Sequence, residues 1–447
     1  MDSYAHQACV RCRKQKRKCN RLLPVCSRCT KLKLRCRYHA LPEDPGSPEC
    51  RDLTALGHAL QSQVCSVIGD TEAVAQSAAA YFSSIHRWFP TVNRDVYYRG
   101  LGGRGGGGGG GGGGGLAELP PEFSLLTLSM YLVCLPAGYH GLSRRVNALY
   151  ILVAGFVASL TAAGVNSLDL LHSRLLLSLF EVGHGMYPAA YISMGASVRA
   201  AVALGVDRSD GLGGRFGQAV DEADDARRLW LGLVILDRYV SLEMDRSSMQ
   251  ETTSHTPAMS PSTQLNDLYR ASTLLARVLA HIVDPTPYEQ KSAEAIPILE
   301  ALAAFRDVTQ GSDSQGPRPC PTTALCSSAF MTILEFGYRF NHPVGKDCSP
   351  LSFALLEAEV LQFVTDCEAW MGVVADSAEN VDIPVFFIHA VGKAAVIVLR
   401  CLGNSPAVDV PASVDCLKGL LDRVKGRWRA AGVYLDKIQQ EEAVLQR

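Results

Sequence analysis

The chain has 447 residues, 47% apolar and 19% charged, with a formal net charge of −1. That composition supports a large hydrophobic core and excludes a disordered chain. The charge is unevenly placed. Residues 1–40 carry twelve Lys or Arg against one acid, Asp2, which leaves 31 basic and 43 acidic side chains to the rest. A basic head on an acidic body points to a polyanion as the partner of the head.

Residues 1–8 read as a short polar tail without the apolar stretch of a secretory signal. A reducing compartment is therefore expected, and disulfides are not. Next come six of the fifteen cysteines, in CVRCRKQKRKCNRLLPVCSRCTKLKLRC. Cys9, Cys12, Cys19, Cys26, Cys29 and Cys36 fall in the spacing C-x2-C-x6-C-x6-C-x2-C-x6-C. Clustered thiolates are soft ligands suited to closed tetrahedral zinc sites. Six of them give two zinc ions four ligands each only if two bridge. The repeat of x2 then x6 singles out Cys9 and Cys26, the first of each half. So small a segment holds no hydrophobic core, so metal binding is expected to supply its folding energy.

The spacing resembles the fungal binuclear zinc cluster family over the whole of Cys9 to Cys36. Arg13 directly after the second cysteine, Lys16 and Lys18 before the third, and Pro24 before the fourth also match. The resemblance implies that Cys9 and Cys26 bridge two zinc ions. It also implies that the end of the first short helix enters the DNA major groove and reads a CGG-type triplet with a basic pair. The second member of that pair maps to Lys16. The first maps to Gln15, where the family has Lys or Arg. Arg13, Lys14 and Lys18 are carried over as phosphate contacts. Double-stranded DNA is thus the expected partner and the nucleus the expected location, with Arg11–Lys18 also suited to a localisation signal. Two other readings stay open: a zinc-dependent protein-interaction module, and a thiol redox sensor that loses zinc on oxidation.

Residues 1–38 form the expected DNA-binding domain, 39–70 a linker, and 71–447 a regulatory region. The linker begins with the Pro- and acid-rich LPEDPGSPE. Leu53, Leu56, Leu60, Val64 and Val67 then recur at helical spacing; an ordinary amphipathic helix is favoured over a short homodimerisation helix. At 102–115 a glycine run interrupted by Arg104 reads as a flexible loop. Beyond residue 120 the sequence is mainly helical. Helices are expected over Glu122–Leu135, Arg144–Ala163, Ser167–Gly183, Ala189–Leu204, Asp221–Leu242, Leu265–Ile282, Ser327–Arg339, Pro350–Met371, Val385–Leu402 and Val414–Ala443. Gln250–Thr263 and Thr309–Thr323 read as loops. The fold class is mainly α: a small metal-bound N-terminal module plus a large all-α domain.

Ala148–Val165 just reaches the length of a membrane span, but it is read as a buried core helix, and no membrane partner is expected. Two segments, Tyr81–Tyr98 and Ala226–Arg246, resemble the regulatory region that follows the cluster in many of these factors. Trp88, Phe89, Trp230 and Tyr239 are expected as core aromatics, and Arg227, Asp237 and Arg238 in packing salt bridges. The alternative is that this region senses a small-molecule effector or binds a co-regulator. The shorter, Ala-rich body resembles regulators found beside secondary-metabolite gene clusters. No enzyme is expected. Gly211–Gly217 lacks the spacing of a dinucleotide loop, and no H-E-x-x-H or G-x-S-x-G occurs. His184 and His389 read as satisfied core histidines.

Overall fold

The structure, a computed structural model, describes residues 8–9, 11–12, 15–22, 25–32, 34, 36, 48–102, 119–138, 141–207, 220–244, 262–284, 288–310, 320–340, 350–376, 383–403 and 405–445. Contacts divide the chain into two compact units, Met1–Ala59 and Leu60–Arg447. Among the described residues there is no strand. The head contains α1, Ser27–Lys31, and the head's packed interior is formed by Cys9, Cys12, Cys26 and Cys29, with Cys19, Leu34 and Cys36 against them.

The body follows in chain order. After α2 (Pro48–Val67), which runs into it with Leu60 and Val64 buried, come α3 (Thr71–Ser83), α4 (Ile85–Trp88) and α5 (Arg94–Gly102). Then come α6 (Pro121–Cys134), α7 (Arg144–Ala162), α8 (Leu168–Gly183), α9 (Tyr187–Leu204) and α10 (Val220–Glu243). The rest are α11 (Thr263–Val283), α12 (Tyr288–Gln310), α13 (Pro321–Phe340), α14 (Pro350–Asp376), α15 (Phe386–Arg400), α16 (Val410–Val424) and α17 (Ala430–Leu445). Each helix packs mostly on near neighbours in sequence. α6 lies on α8, α8 on α9, α9 on α10, α10 on α11, α11 on α13, α13 on α15, and α15 on α16 and α17.

Local sequence sets many of the starts. Asp70, Ser143, Ser167, Ser262 and Asp409 each accept the N–H three residues on, supplying one of the partners that a helix N-terminus lacks. Gly205 ends α9 at φ 84°, the left-handed conformation glycine takes without strain. Two glycines permit close packing inside the body. A Cβ on Gly183 would collide with the Trp428 ring, and one on Gly392 with the Tyr434 ring.

The structure corrects several sequence expectations. The last helix is two, because the chain breaks at 425–429, where Trp428 is buried and donates from Nε1 to the Ile383 carbonyl at 2.9 Å. α12 was not foreseen, since Pro297 lies inside it. Thr309 and Gln310 belong to α12 and Pro321–Thr323 to α13 instead of a loop. α7 is buried on one face only: Val146, Leu149, Val153, Val157 and Leu160 point inward, while Ile151 is 60% exposed. By length and composition α7 could cross a membrane. His184 is buried, but neither ring nitrogen has a hydrogen-bond partner among the described residues. Gln250–Pro261, Gly103–Gly115 and Gly211–Gly217 lie outside the described residues.

Candidate zinc centre and nucleic-acid interface

The sulfurs gather into two sets of four, Cys9, Cys12, Cys19 and Cys26, and Cys9, Cys26, Cys29 and Cys36; within each, all lie within 4.8 Å of one another. Cys9 and Cys26 belong to both, with 3.7 Å between them. This is the sharing that six ligands on two tetrahedral ions require, and the donor set fits two zinc ions.

The backbone repeats itself in the two halves. The Cys12 and Cys29 N–H groups each donate to the shared sulfur three residues before, both at 3.4 Å. The Cys9 N–H reaches the Cys19 sulfur and the Cys26 N–H the Cys36 sulfur, again at 3.4 Å. Such donors stabilise thiolate. Desolvation pushes the Cys26 thiol up, but the Cys29 N–H and the neighbouring thiols outweigh it and bring the group down to about 6. Cys9 is lowered by a similar balance, whereas burial and the adjacent sulfurs push Cys12 up to about 12.

Each half ends in the same turn. Arg17 N–H donates to the Cys12 carbonyl at 2.8 Å, as Leu34 does to Cys29 at 2.9 Å. In the first half this closes a helical turn with Lys16 at φ 49°. A left-handed residue just past the helix end, with the next N–H returning five residues back, is a Schellman-type stop. Gln15, Lys16, Arg17 and Lys18 are all exposed. Arg13, Lys14 and Pro24 lie outside the described residues.

Two contacts between the halves were not legible in the sequence. Asn20 accepts from the Ser27 N–H at 3.0 Å and donates to its hydroxyl at 2.6 Å, bracing the start of α1. Arg28 donates from Nη1 to Gln15 Oε1 at 3.3 Å.

In the body, the first segment singled out in the sequence meets the start of the second, and the two aspartates just before it, at a buried clamp. Asn93 N–H donates to Asp225 at 2.8 Å and the Asn93 amide to Asp224 at 3.3 Å; Arg228 pairs with Asp224 at 2.6 Å. The His172 ring sits 3.1 Å from the Thr91 carbonyl, 3.0 Å from the Leu168 carbonyl and 3.6 Å from Asp225. Trp88, Phe89, Trp230 and Tyr239 are buried, as core aromatics should be. Arg238 spends its guanidinium on the Ser272 and Thr273 hydroxyls, at 2.9 and 2.8 Å, over the Tyr269 ring.

Comparison with known proteins agrees with this division. Residues 7–44 match the fungal Zn(2)-Cys(6) binuclear cluster domain, and residues 78–273 match the fungal specific transcription factor domain. Transcription factor BOA15 of Botryotinia fuckeliana (strain B05.10) is 30% identical over 164 residues, 36% of this chain and 83% of the relative. The chain belongs to the fungal Zn(2)-Cys(6) transcription factors. As a member of that family it carries two zinc ions, binds DNA and regulates transcription. Both segments of the body clamp fall inside the second matched domain, which therefore has a physical joint at His172, Asp224 and Asp225.

Proposed function

We propose that residues 1–38 form a sequence-specific DNA-binding module that reads a CGG-type triplet in the major groove, for transcription by RNA polymerase II in the nucleus. Cys9, Cys12, Cys19, Cys26, Cys29 and Cys36 hold the zinc, with Cys9 and Cys26 bridging. Lys16 donates to guanine O6 and N7, while Arg13, Lys14 and Lys18 engage phosphates. One observation carries the reading: the shared-sulfur pair fixes a turn whose left-handed end is Lys16, flanked by exposed Gln15, Arg17 and Lys18. Residues 39–70 serve as linker, and 71–447 as a non-enzymatic regulatory region that receives a co-regulator or small-molecule effector. The pathway under control is a secondary-metabolite gene cluster, a reading supported by the short Ala-rich body and tested by mapping bound sites across the genome.

The deciding test compares the wild type with Lys16→Ala on CGG-containing and scrambled duplexes. A good base contact discriminates by about 1–3 kcal/mol, so the variant should lose most of its preference. Unchanged affinity and preference would show that Lys16 reads no base.

A further inference from the structure

The amide of Gln15 stands beside Lys16 at the exposed end of the first turn. Its oxygen accepts from Arg28 Nη1 at 3.3 Å. A guanidinium has only donors, so this contact decides which end of the amide is oxygen. It uses one lone pair of Oε1. Among the described residues the other lone pair and both Nε2 hydrogens have no partner. The position equivalent to Gln15 in the second half, 17 residues on, is Leu32, which offers no polar group. The oriented amide is thus a feature of the lysine-bearing turn.

Lysine presents donors alone and suits guanine. A glutamine amide presents an acceptor and a donor side by side, which matches adenine N6–H and N7. We propose that Gln15 is a specificity-determining residue that reads adenine next to the guanine contacted by Lys16, and that Arg28 is the positioning residue that orients it. The half-site of this protein is then a CGG-type triplet with one guanine replaced by adenine. The proposal rests on Lys16 as base reader. Arg28 is half-buried in α1 and comes from the other half of the cluster, so the second half shapes what the first half reads.

The test is selection from random duplexes with the full-length, zinc-loaded protein, with two zinc ions per chain verified for every variant. The wild type should enrich adenine at one position beside a constant guanine by about tenfold, the scale of one bidentate contact. Gln15→Lys should turn that position to guanine and leave the rest of the site unchanged. Arg28→Ala should flatten the preference at that position alone, and Arg28→Lys should restore part of it. A guanine-only triplet from the wild type, untouched by Gln15→Lys, overturns the adenine reading while leaving Lys16 in place. A preference that survives Arg28→Ala overturns the positioning role. Enrichment of no triplet at all overturns the Lys16 reading together with this one.

Discussion

Among the described residues His184 has no hydrogen-bond partner; it sits edge-on to Phe180 at a centroid distance of 4.1 Å and 5.9 Å from Trp428. Burial, reinforced by Arg427 and Arg429, lowers its pKa to about 3. An unfolded histidine titrates near 6.5. Between those values the unfolded chain holds a proton that the folded chain refuses, so stability present above pH 6.5 is lost as pH falls toward 3. From pH 7 to 5 this one group should cost about 2 kcal/mol. In His184→Phe, the difference between the unfolding free energies at pH 7 and pH 5 should shrink by that amount, measured by denaturant titration followed by fluorescence. Asp225 poses the opposite problem. Burial pushes its carboxyl up, and the His172 ring and the Asn93 N–H pull it back. Both His172 nitrogens lie within hydrogen-bond distance of carbonyl oxygens, and Asp225 stands 3.6 Å from Nε2. Asp225→Ala should therefore lower unfolding free energy by about 3 kcal/mol, the cost of stripping one partner from a buried pair. The core placement of His184 was readable from the sequence, but its ring, unpaired among the described residues, and the His172–Asp225 contact were not. His172, Asn93 and Asp225 lie far apart in the chain, and nothing local distinguishes them from ordinary polar helix residues. The six cysteines were readable because a metal site of this kind writes its geometry into short spacings.

Helices show the same division between local and distant causes. α8, α9 and α10 were found within a few residues of their observed ends, since caps such as Ser167 and the apolar period are local signals. The break between α16 and α17 was missed because its cause lies elsewhere in the body. Arg427 donates to the carbonyls of Val133 at 2.6 Å and Leu135 at 2.9 Å, satisfying the C-terminal end of α6. Its guanidinium also stacks on Trp428, 4.1 Å from the ring. A continuous helix through 425–429 would give up both the cap and the buried indole. α12 was missed for the converse reason: its packing on α11 and α13 outweighs the local penalty of Pro297. Arg427→Ala leaves two helix-end carbonyls without their charged donor and should cost about 2 kcal/mol, seen as a lower denaturant midpoint. Arg427→Lys should recover only part, because an ammonium lacks the planar fork that spans two carbonyls.

At the scale of the whole chain, the two units owe their stability to different physics. The body buries a continuous set of Leu, Val, Ile and aromatic side chains along its helices. The head's packed interior is cysteine sulfur with Leu34 against it, so the hydrophobic effect supplies little there and metal coordination must supply the rest. Exhaustive chelation should therefore abolish DNA binding and the folded signals of residues 9–36, while the thermal transition of the helical body stays in place. Restored zinc should return binding at two ions per chain. Charge separates the units too. The head carries twelve basic side chains, against a body in which acids outnumber bases. If about four phosphates are engaged, log K should fall with log salt at a slope of roughly −3 to −4. Removing Lys18, a proposed phosphate contact, should reduce that slope by about 1 and weaken all duplexes alike, whereas Lys16→Ala should weaken the cognate site most. A common slope with a lost preference for Lys16→Ala, and a reduced slope with a kept preference for Lys18→Ala, would separate base reading from charge neutralisation within three residues of one turn.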